Sequence, residues 1–246
     1  MVEPDASVLT VTGGRRVRVV AFVVLGAAVV TWDAVATHLG GVGLWPAVAV
    51  IAGGVLPATL GLILLALPLW PRRWIVAAGI ALGIAAVGTW EANAHLASNF
   101  AKLGAYTCAG WAFLWLFEEL GWVVIVATII PFVDAISVAA GPTKNIVTHH
   151  IEVYSAVAVS FLAPGGGAAE LGPPDVLFFA LFLAATVRWR LRPGWTWIAM
   201  TAMYSLTLVI ANAAEVNGLP ALPFLSAGFL LANGDLLWRR LRRRSV

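Results

Sequence analysis

The sequence predicts an all-α membrane protein, a polytopic bundle of about eight transmembrane helices. Its composition is the first reason, because 61% of the 246 residues are hydrophobic and only 11% are charged, whereas a soluble domain is about 45–50% apolar. The second reason is that apolar runs close to the roughly 20 residues needed to cross a bilayer recur along nearly the whole chain. These runs leave no room for a separate soluble domain, so we expect one domain surrounded by the lipid bilayer.

The N-terminal half contains four of these runs. Residues 1–14 are polar and are predicted to form a short disordered tail, and residues 15–120 are predicted to form the N-terminal transmembrane helices. The runs are 17–36, 44–67, 74–90 and 103–117, with the polar stretch EANAHLASNFAK between the last two. The basic residues before the first run and the AVA near position 36 also fit a cleaved signal peptide. Trp32 and Asp33 interrupt the small-residue pattern before any cleavage site, which favours a retained first helix.

The C-terminal half, residues 121–238, is predicted to be a second group of transmembrane helices that carries the candidate site. Its runs are 122–140, 175–187, 195–214 and 219–238. The polar and glycine-rich residues 141–170 are interpreted as an external loop, with a strand or an interfacial turn as further readings. Residues 239–246 are predicted to form a basic C-terminal tail.

Arginine clusters predict the orientation in the membrane. Four clusters, at 15–18, 72–73, 188–192 and 239–244, lie just outside apolar runs, and eight crossings place all four on one side. Lys and Arg favour the cytoplasmic side of short loops. Both termini are therefore predicted to be cytoplasmic in the cell (inner) membrane, and only Lys102 and Lys144 fall in the predicted outside connections. Because the basic residues mark topology, the net charge of +3 does not indicate a nucleic-acid partner.

Neither a metal nor a cofactor is expected. The single cysteine, Cys108, lies in an apolar segment, where it is interpreted as a small core side chain. His149, His150 and Glu152 resemble a metal cluster on paper, but adjacent histidines point apart on a helix and no fourth ligand is evident. They are interpreted as solvated loop residues.

Other polar residues near the ends of the runs have simpler interpretations. Asp33, His38, Glu91 and His95 are predicted to be solvated at the outer membrane interface. Asn212 and Glu215 are candidates for lining a polar path, and Asp235 is expected to pair with the C-terminal arginines.

Two aspartates are the candidate functional residues. Asp134 lies inside the apolar run PFVDAISV, and Asp175 heads the run LGPPDVLFFALFLAA. An acidic side chain at membrane depth is a functional-site hypothesis by default, because hydrocarbon offers it no water. Each lies 13 residues from the inner end of its helix, counted from Gly121 and from Arg188, which corresponds to roughly 20 Å at 1.5 Å per residue. The two carboxyl groups are therefore expected at the same height on consecutive antiparallel helices.

A pair of carboxyl groups at one depth suits peptide-bond hydrolysis. Two such groups cannot both ionise cheaply, so one retains its proton and the pair titrates as a unit. The ionised member can then take a proton from water while the neutral one hydrogen-bonds the scissile carbonyl. A third element is LPALPFL at 219–225, whose prolines predict an unwound segment before the last helix. Such backbone is tolerated at membrane depth only when it is buried or faces a cavity.

The motifs FVDAISV, LGPPDVL and LPALPFL, in this order and with one helix between the last two, resemble the three signatures of the presenilin and signal peptide peptidase family of intramembrane aspartyl proteases. The resemblance covers roughly residues 121–238 and implies a presenilin-like bundle with membrane-spanning peptides as substrates. It implies that Asp134 and Asp175 are catalytic. It also implies a substrate-binding role for Gly172, Pro220, Ala221 and Leu222. The external loop between the aspartates resembles signal peptide peptidase.

The chain departs from the family pattern at two positions. Val133 stands where the family has tyrosine before the first aspartate, and Pro174 stands where it has glycine before the second. The eight runs also leave one N-terminal helix of the family's nine without a counterpart. Pro174 fixes φ and removes a donor, which makes a catalytically inactive relative that binds membrane peptides one alternative.

Further alternatives are open. The two aspartates could serve a small proton- or cation-coupled transporter. Asp134 could be a buried hydrogen-bonding residue and Asp175 a helix cap after the Pro-Pro turn. Pro220 could mark no more than a helix start. The sequence leaves the oligomeric state open.

Overall fold

The computed structural model describes residues 14–140, 151–165, 167–216 and 219–242, and these residues are mostly helical, as predicted. The helices are α1 Arg15–Ala36, α2 Leu44–Leu69, α3 Ile75–Glu91, α4 His95–Leu114, α5 Leu120–Ala140, α6 Ile151–Val157, α7 Pro173–Arg188, α8 Pro193–Ala213 and α9 Leu222–Arg242. A π-helical turn, Ile51–Val55, interrupts α2. The strands β1 Val159–Leu162 and β2 Ala168–Leu171 pair antiparallel.

Four helices in the described part of the chain are long and apolar enough to cross a membrane. They are Arg15–Ala36, Leu44–Leu69, Leu120–Val138 and Pro193–Ala213, and Ile75–Glu91 is a shorter apolar helix. These segments indicate a membrane-associated helical protein. Length and composition do not support the predicted count of about eight crossings.

Prolines set several helix boundaries. Pro68 lies in the 3₁₀ turn that ends α2, and α7 and α8 each begin with proline at the first helical positions. A proline in the first turn sacrifices only an N–H that has no helical partner there. Pro220 lies just before α9, which begins at Leu222, so residues 219–221 are non-helical, as predicted.

Helix α7, which carries Asp175, lies at the centre of the bundle. It packs against α4, α8 and α9, and its residues 179–186 are fully buried. Phe182 stacks on Phe229 of α9 with ring centroids 4.8 Å apart. Asp175 is therefore carried by a helix whose following turns are fully enclosed by the described part of the bundle.

Helix α4 begins earlier than predicted. Most of the polar stretch EANAHLASNFAK, which was expected to be a connection, belongs to its first two turns. Its polar side chains have partners inside the protein, since the Ser98 hydroxyl donates to Ala86 O at 2.9 Å and Lys102 Nζ donates to Ala158 O at 2.6 Å. The prediction was wrong because polarity here reflects buried hydrogen bonds rather than exposure to water.

The predicted external loop contains regular structure. Residues 151–171 form α6 and the β1–β2 hairpin, which confirms the expectation of a strand. Trp32 of α1 donates to Leu162 O at 2.9 Å and so ties the hairpin to the first helix. Glu152 is exposed, whereas Lys144, His149 and His150 lie outside the described residues.

Within the described residues, which end at Arg242, Asp235 forms its ion pair with Arg192 and not with a C-terminal arginine as expected. Its two carboxylate oxygens accept bonds from the two terminal nitrogens of Arg192, both at 2.8 Å. Arg192 directly precedes α8, which packs along α9, so its planar guanidinium meets the carboxylate in the paired geometry that arginine favours. A neighbour across the helix interface is therefore the partner.

The structure also shows the exposure of the other residues singled out in the sequence. Cys108 is buried, as expected, while His38, Glu91 and His95 are exposed and Asp33 is partly buried. Asn212 donates to Leu208 O of its own helix at 2.8 Å, and Glu215 is exposed.

Candidate active site at two aspartates

Asp134 interacts with the segment that precedes α9. It lies in the last two turns of α5, and its Oδ2 accepts the backbone N–H of Leu222 at 3.1 Å. Leu222 opens α9, and the first N–H groups of a helix have no intrahelical acceptor. The carboxylate of Asp134 therefore accepts a hydrogen bond from one of these unpaired N–H groups. This bond joins Asp134 to the Pro220–Ala221–Leu222 motif. Pro220 and Ala221 are partly buried and non-helical.

Asp175 also accepts a backbone N–H at a helix start. It is the third residue of α7, and its Oδ2 accepts the N–H of Gly172 at 2.9 Å. Gly172 is buried and extended, with φ −66° and ψ 158°. Both aspartates therefore have one carboxylate oxygen held by main chain and leave a second oxygen for other partners.

The two aspartates share an electrostatic environment. Asp134 and Asp175 come from different helices, yet each side chain is partly exposed and their charges interact. Mutual repulsion penalises the state in which both members of such a pair are ionised. The sequence predicts that they lie at one depth, and the interaction of their charges indicates that they lie in one region of the bundle.

Two tyrosines that no sequence motif marked lie beside the pair. The hydroxyl of Tyr204, on α8, donates to the backbone oxygen of Asp175 at 2.9 Å. A Cβ atom on Gly172 would lie 3.4 Å from Oδ2 of Asp175 and 3.7 Å from the hydroxyl of Tyr154, on α6. Each of the two aspartates interacts electrostatically with both tyrosines. The chain has only three tyrosines, and this scarcity is the one sequence signal that could have drawn attention to them.

Helix α5 forms the open side of the site. It packs mainly against α9 and touches α7 only sparsely. Phe132 and Ile136, on either side of Asp134, are both 67% exposed, as expected for side chains that face lipid. The aspartate pair therefore lies near the periphery of the bundle on the α5 side, although α7 itself is central.

The arrangement offers two carboxyl groups and two phenols around non-helical backbone. Carboxyl groups can donate or accept protons according to their ionisation, and phenols can donate hydrogen bonds. The described residues contain no group of three or more His, Cys, Asp or Glu side chains that could hold a metal ion. Comparisons of the chain with protein-family models, with curated proteins and with solved structures gave no match.

Proposed function

We propose that the protein is an intramembrane aspartyl protease that hydrolyses peptide bonds of transmembrane or signal-peptide segments, as its resemblance to the presenilin and signal peptide peptidase family implies. Asp134 and Asp175 are its general acid and base, and Gly172, Pro220, Ala221 and Leu222 bind the substrate backbone. The observation that carries the proposal is the bond from the Leu222 N–H to Asp134 at the non-helical segment before α9. It is joined by the charge interaction between Asp134 and Asp175, which come from separate helices.

The reaction needs only water and these two groups. One carboxyl is ionised and takes a proton from water as the water oxygen bonds to the carbonyl carbon, while the protonated carboxyl hydrogen-bonds the carbonyl oxygen. The tetrahedral intermediate then collapses: the C=O double bond re-forms, the C–N bond breaks, and the carboxyl that took the proton from water gives it to the leaving nitrogen. The pair ends with one ionised and one protonated carboxyl, as it began. Partial exposure of Asp134 supports access of water to the pair from the α5 side.

The substrate is an extended peptide at the cleaved bond, because a helix buries its backbone in its own hydrogen bonds. Strand β2 pairs with β1 on one side and leads through Leu171 into Gly172 and Asp175. A peptide that adds along the other edge of β2 would place its backbone beside Asp175. The non-helical residues 219–221 offer a second stretch of backbone on the Asp134 side.

The proposed topology has all eight long helices crossing the membrane and both termini in the cytoplasm. Helices α4, α7 and α9 complete the set of crossings beside α3 and the four helices that are long and apolar enough to cross a membrane. The basic clusters at 15–18, 72–73, 188–192 and 239–244 then lie inside, and the β1–β2 hairpin lies outside.

The decisive experiment is cleavage of a membrane-embedded peptide by purified protein in liposomes. Asp134→Asn and Asp175→Asn should each lower kcat by at least roughly 100-fold, since a positioned proton-transfer group contributes about 10²–10⁴. The matched control is Asp33→Asn, which removes a partly buried carboxylate at the outer end of α1 and should leave cleavage intact. Cleavage that survives in Asp134→Asn rules out the proposed mechanism, and pH- or ion-coupled flux without cleavage identifies a transporter.

A peptide-binding relative without activity is the second candidate. The bond from Gly172 N–H to Asp175 Oδ2 is one that a purely structural residue in the first turn of a helix would make, and Pro174 precedes this aspartate. A transition-state-analogue inhibitor of aspartyl proteases separates the two candidates. Labelling that is lost in both aspartate variants supports the protease, whereas peptide binding without labelling or cleavage supports the inactive relative.

A further inference from the structure

Helix α6 is held in place by a polar stripe on α4. Asn99, Lys102 and Tyr106 lie on one face of α4, and each bonds to the backbone of residues 155–160. The bonds are Asn99 Nδ2 to Ser160 O and Ser160 N to Asn99 Oδ1, both 3.3 Å, Lys102 Nζ to Ser155 O at 3.4 Å and to Ala158 O at 2.6 Å, and Tyr106 OH to Val157 O at 2.7 Å. These bonds fix the end of α6 and the start of β1, and hence the position of Tyr154.

Tyr154 points from α6 towards the aspartate pair. Its side chain is partly buried, and its hydroxyl lies 3.7 Å from the place that a Cβ on Gly172 would occupy, while Oδ2 of Asp175 lies 3.4 Å from the same place. The phenol and the carboxylate therefore border one small space beside Gly172.

Charged groups from three elements face this phenol. Burial, and then the negative charges of Asp175 on α7, Glu170 on β2 and Asp134 on α5, raise the pKa of Tyr154 above that of a free tyrosine. Lys102, on α4, interacts with Glu170 and with the backbone of Ser155. Because its pKa is raised, Tyr154 remains protonated through the physiological pH range and can act only by donating or accepting a hydrogen bond as a neutral phenol.

We infer that the Tyr154 hydroxyl is a third polar group of the aspartate site, where it donates a hydrogen bond to the oxygen of the water or peptide carbonyl held between the carboxyl groups. This inference rests on the proposed function for its role in cleavage. Its geometric part, the position of the phenol beside the aspartate pair, stands without any cleavage. The two parts require separate measurements.

The first measurement is cleavage by Tyr154→Phe, which removes one oxygen atom and keeps the ring. The expected result is a fall in kcat of roughly 100-fold, as when one donor to a developing oxyanion is lost, with little change in KM and with a displaced pH profile. Thr89→Val is the control, because it also removes a single hydroxyl, one that donates only to Ala85 O and Ala86 O within α3. It should keep the wild-type pH profile. Wild-type kcat and pH profile in Tyr154→Phe overturn the inference.

The second measurement does not need activity. With only three tyrosines in the chain, ¹³C labelling at the phenol carbon gives three signals, and Tyr154→Phe identifies one of them. This signal should move in both Asp134→Asn and Asp175→Asn, while the Tyr106 signal stays in place and reports that the fold is intact. A Tyr154 signal that ignores both substitutions overturns the inference even if the protein cleaves peptides. A signal that responds, in a protein that cleaves nothing, sustains Tyr154 as part of the site and refutes the protease.

Discussion

At the scale of single residues, Gly110 decides how closely α4 approaches the central helix. A Cβ at this position would collide with the backbone oxygen of Leu177 and lie 3.1 Å from Cβ of Ala180. Backbone cannot rotate away as a flexible side chain can, so the helices would have to separate. The absence of a side chain at Gly110 is thus a requirement of the α4–α7 contact.

Gly110→Ala should destabilise the protein. Overpacking of a close contact costs about 1–3 kcal/mol, which exceeds the gain of up to about 1 kcal/mol from better helix propensity. Gly83→Ala is the matched control, since nothing lies within 4 Å of its Cβ position, and it should be neutral or stabilising. Thermal unfolding in detergent measures both variants. Equal stability of Gly110→Ala and the wild type would contradict the close packing of α4 on α7.

At the scale of elements, the hairpin that leads to Asp175 depends on α4. Lys102 is only 3% exposed, and its ammonium group donates to two backbone oxygens and lies 5.0 Å from the centre of the Trp90 ring. A buried charge is tolerated only when it is hydrogen-bonded or paired. Lys102 therefore links α4 to the segment that contains the end of α6 and the start of β1.

Lys102→Met should loosen that segment. Methionine retains most of the chain length but leaves the carbonyl of Ala158 without its donor, at a cost of about 1–3 kcal/mol for an unsatisfied buried group. Hydrogen exchange of peptides covering residues 155–162 should accelerate, while exchange in α8 should not change. Arg73→Met, at an exposed cation between α2 and α3, serves as the control. Unaltered protection of residues 155–162 would exclude Lys102 as the anchor.

At the scale of the whole molecule, the proposed topology separates two exposed positions by the membrane. Glu152, on α6, belongs to the external side, and Arg73 belongs to the cytoplasmic side. In intact cells a membrane-impermeant maleimide should label Glu152→Cys at once and Arg73→Cys only after permeabilisation. The native Cys108 is buried and should contribute little background. The reverse pattern would invert the topology, and labelling of both positions from one side would refute the number of crossings between them.

Composition and the spacing of apolar runs were sufficient to identify a helical membrane protein and to place most helices within a few residues. This works because a segment in hydrocarbon must be apolar, and its backbone N–H and C=O groups must be hydrogen-bonded within the protein. A long apolar run that can form a helix meets both conditions and is visible in the local sequence. The same reasoning failed at residues 95–102, since a polar residue that bonds inside the protein and one that faces water look alike in the sequence. It also assigned Asp235 to the wrong arginines, because helix-to-helix partners depend on packing.

The candidate site shows the same division between local pattern and packing. The two aspartates and the proline-rich segment before α9 were recognisable in the sequence, because acidic residues and prolines are costly in apolar helices. Their meeting through the Leu222 N–H bond to Asp134, and the presence of Tyr154 and Tyr204 beside them, arise only in three dimensions. Those contacts join residues of five helices, α5 to α9, and they depend on how these helices are arranged in space, which local sequence does not specify.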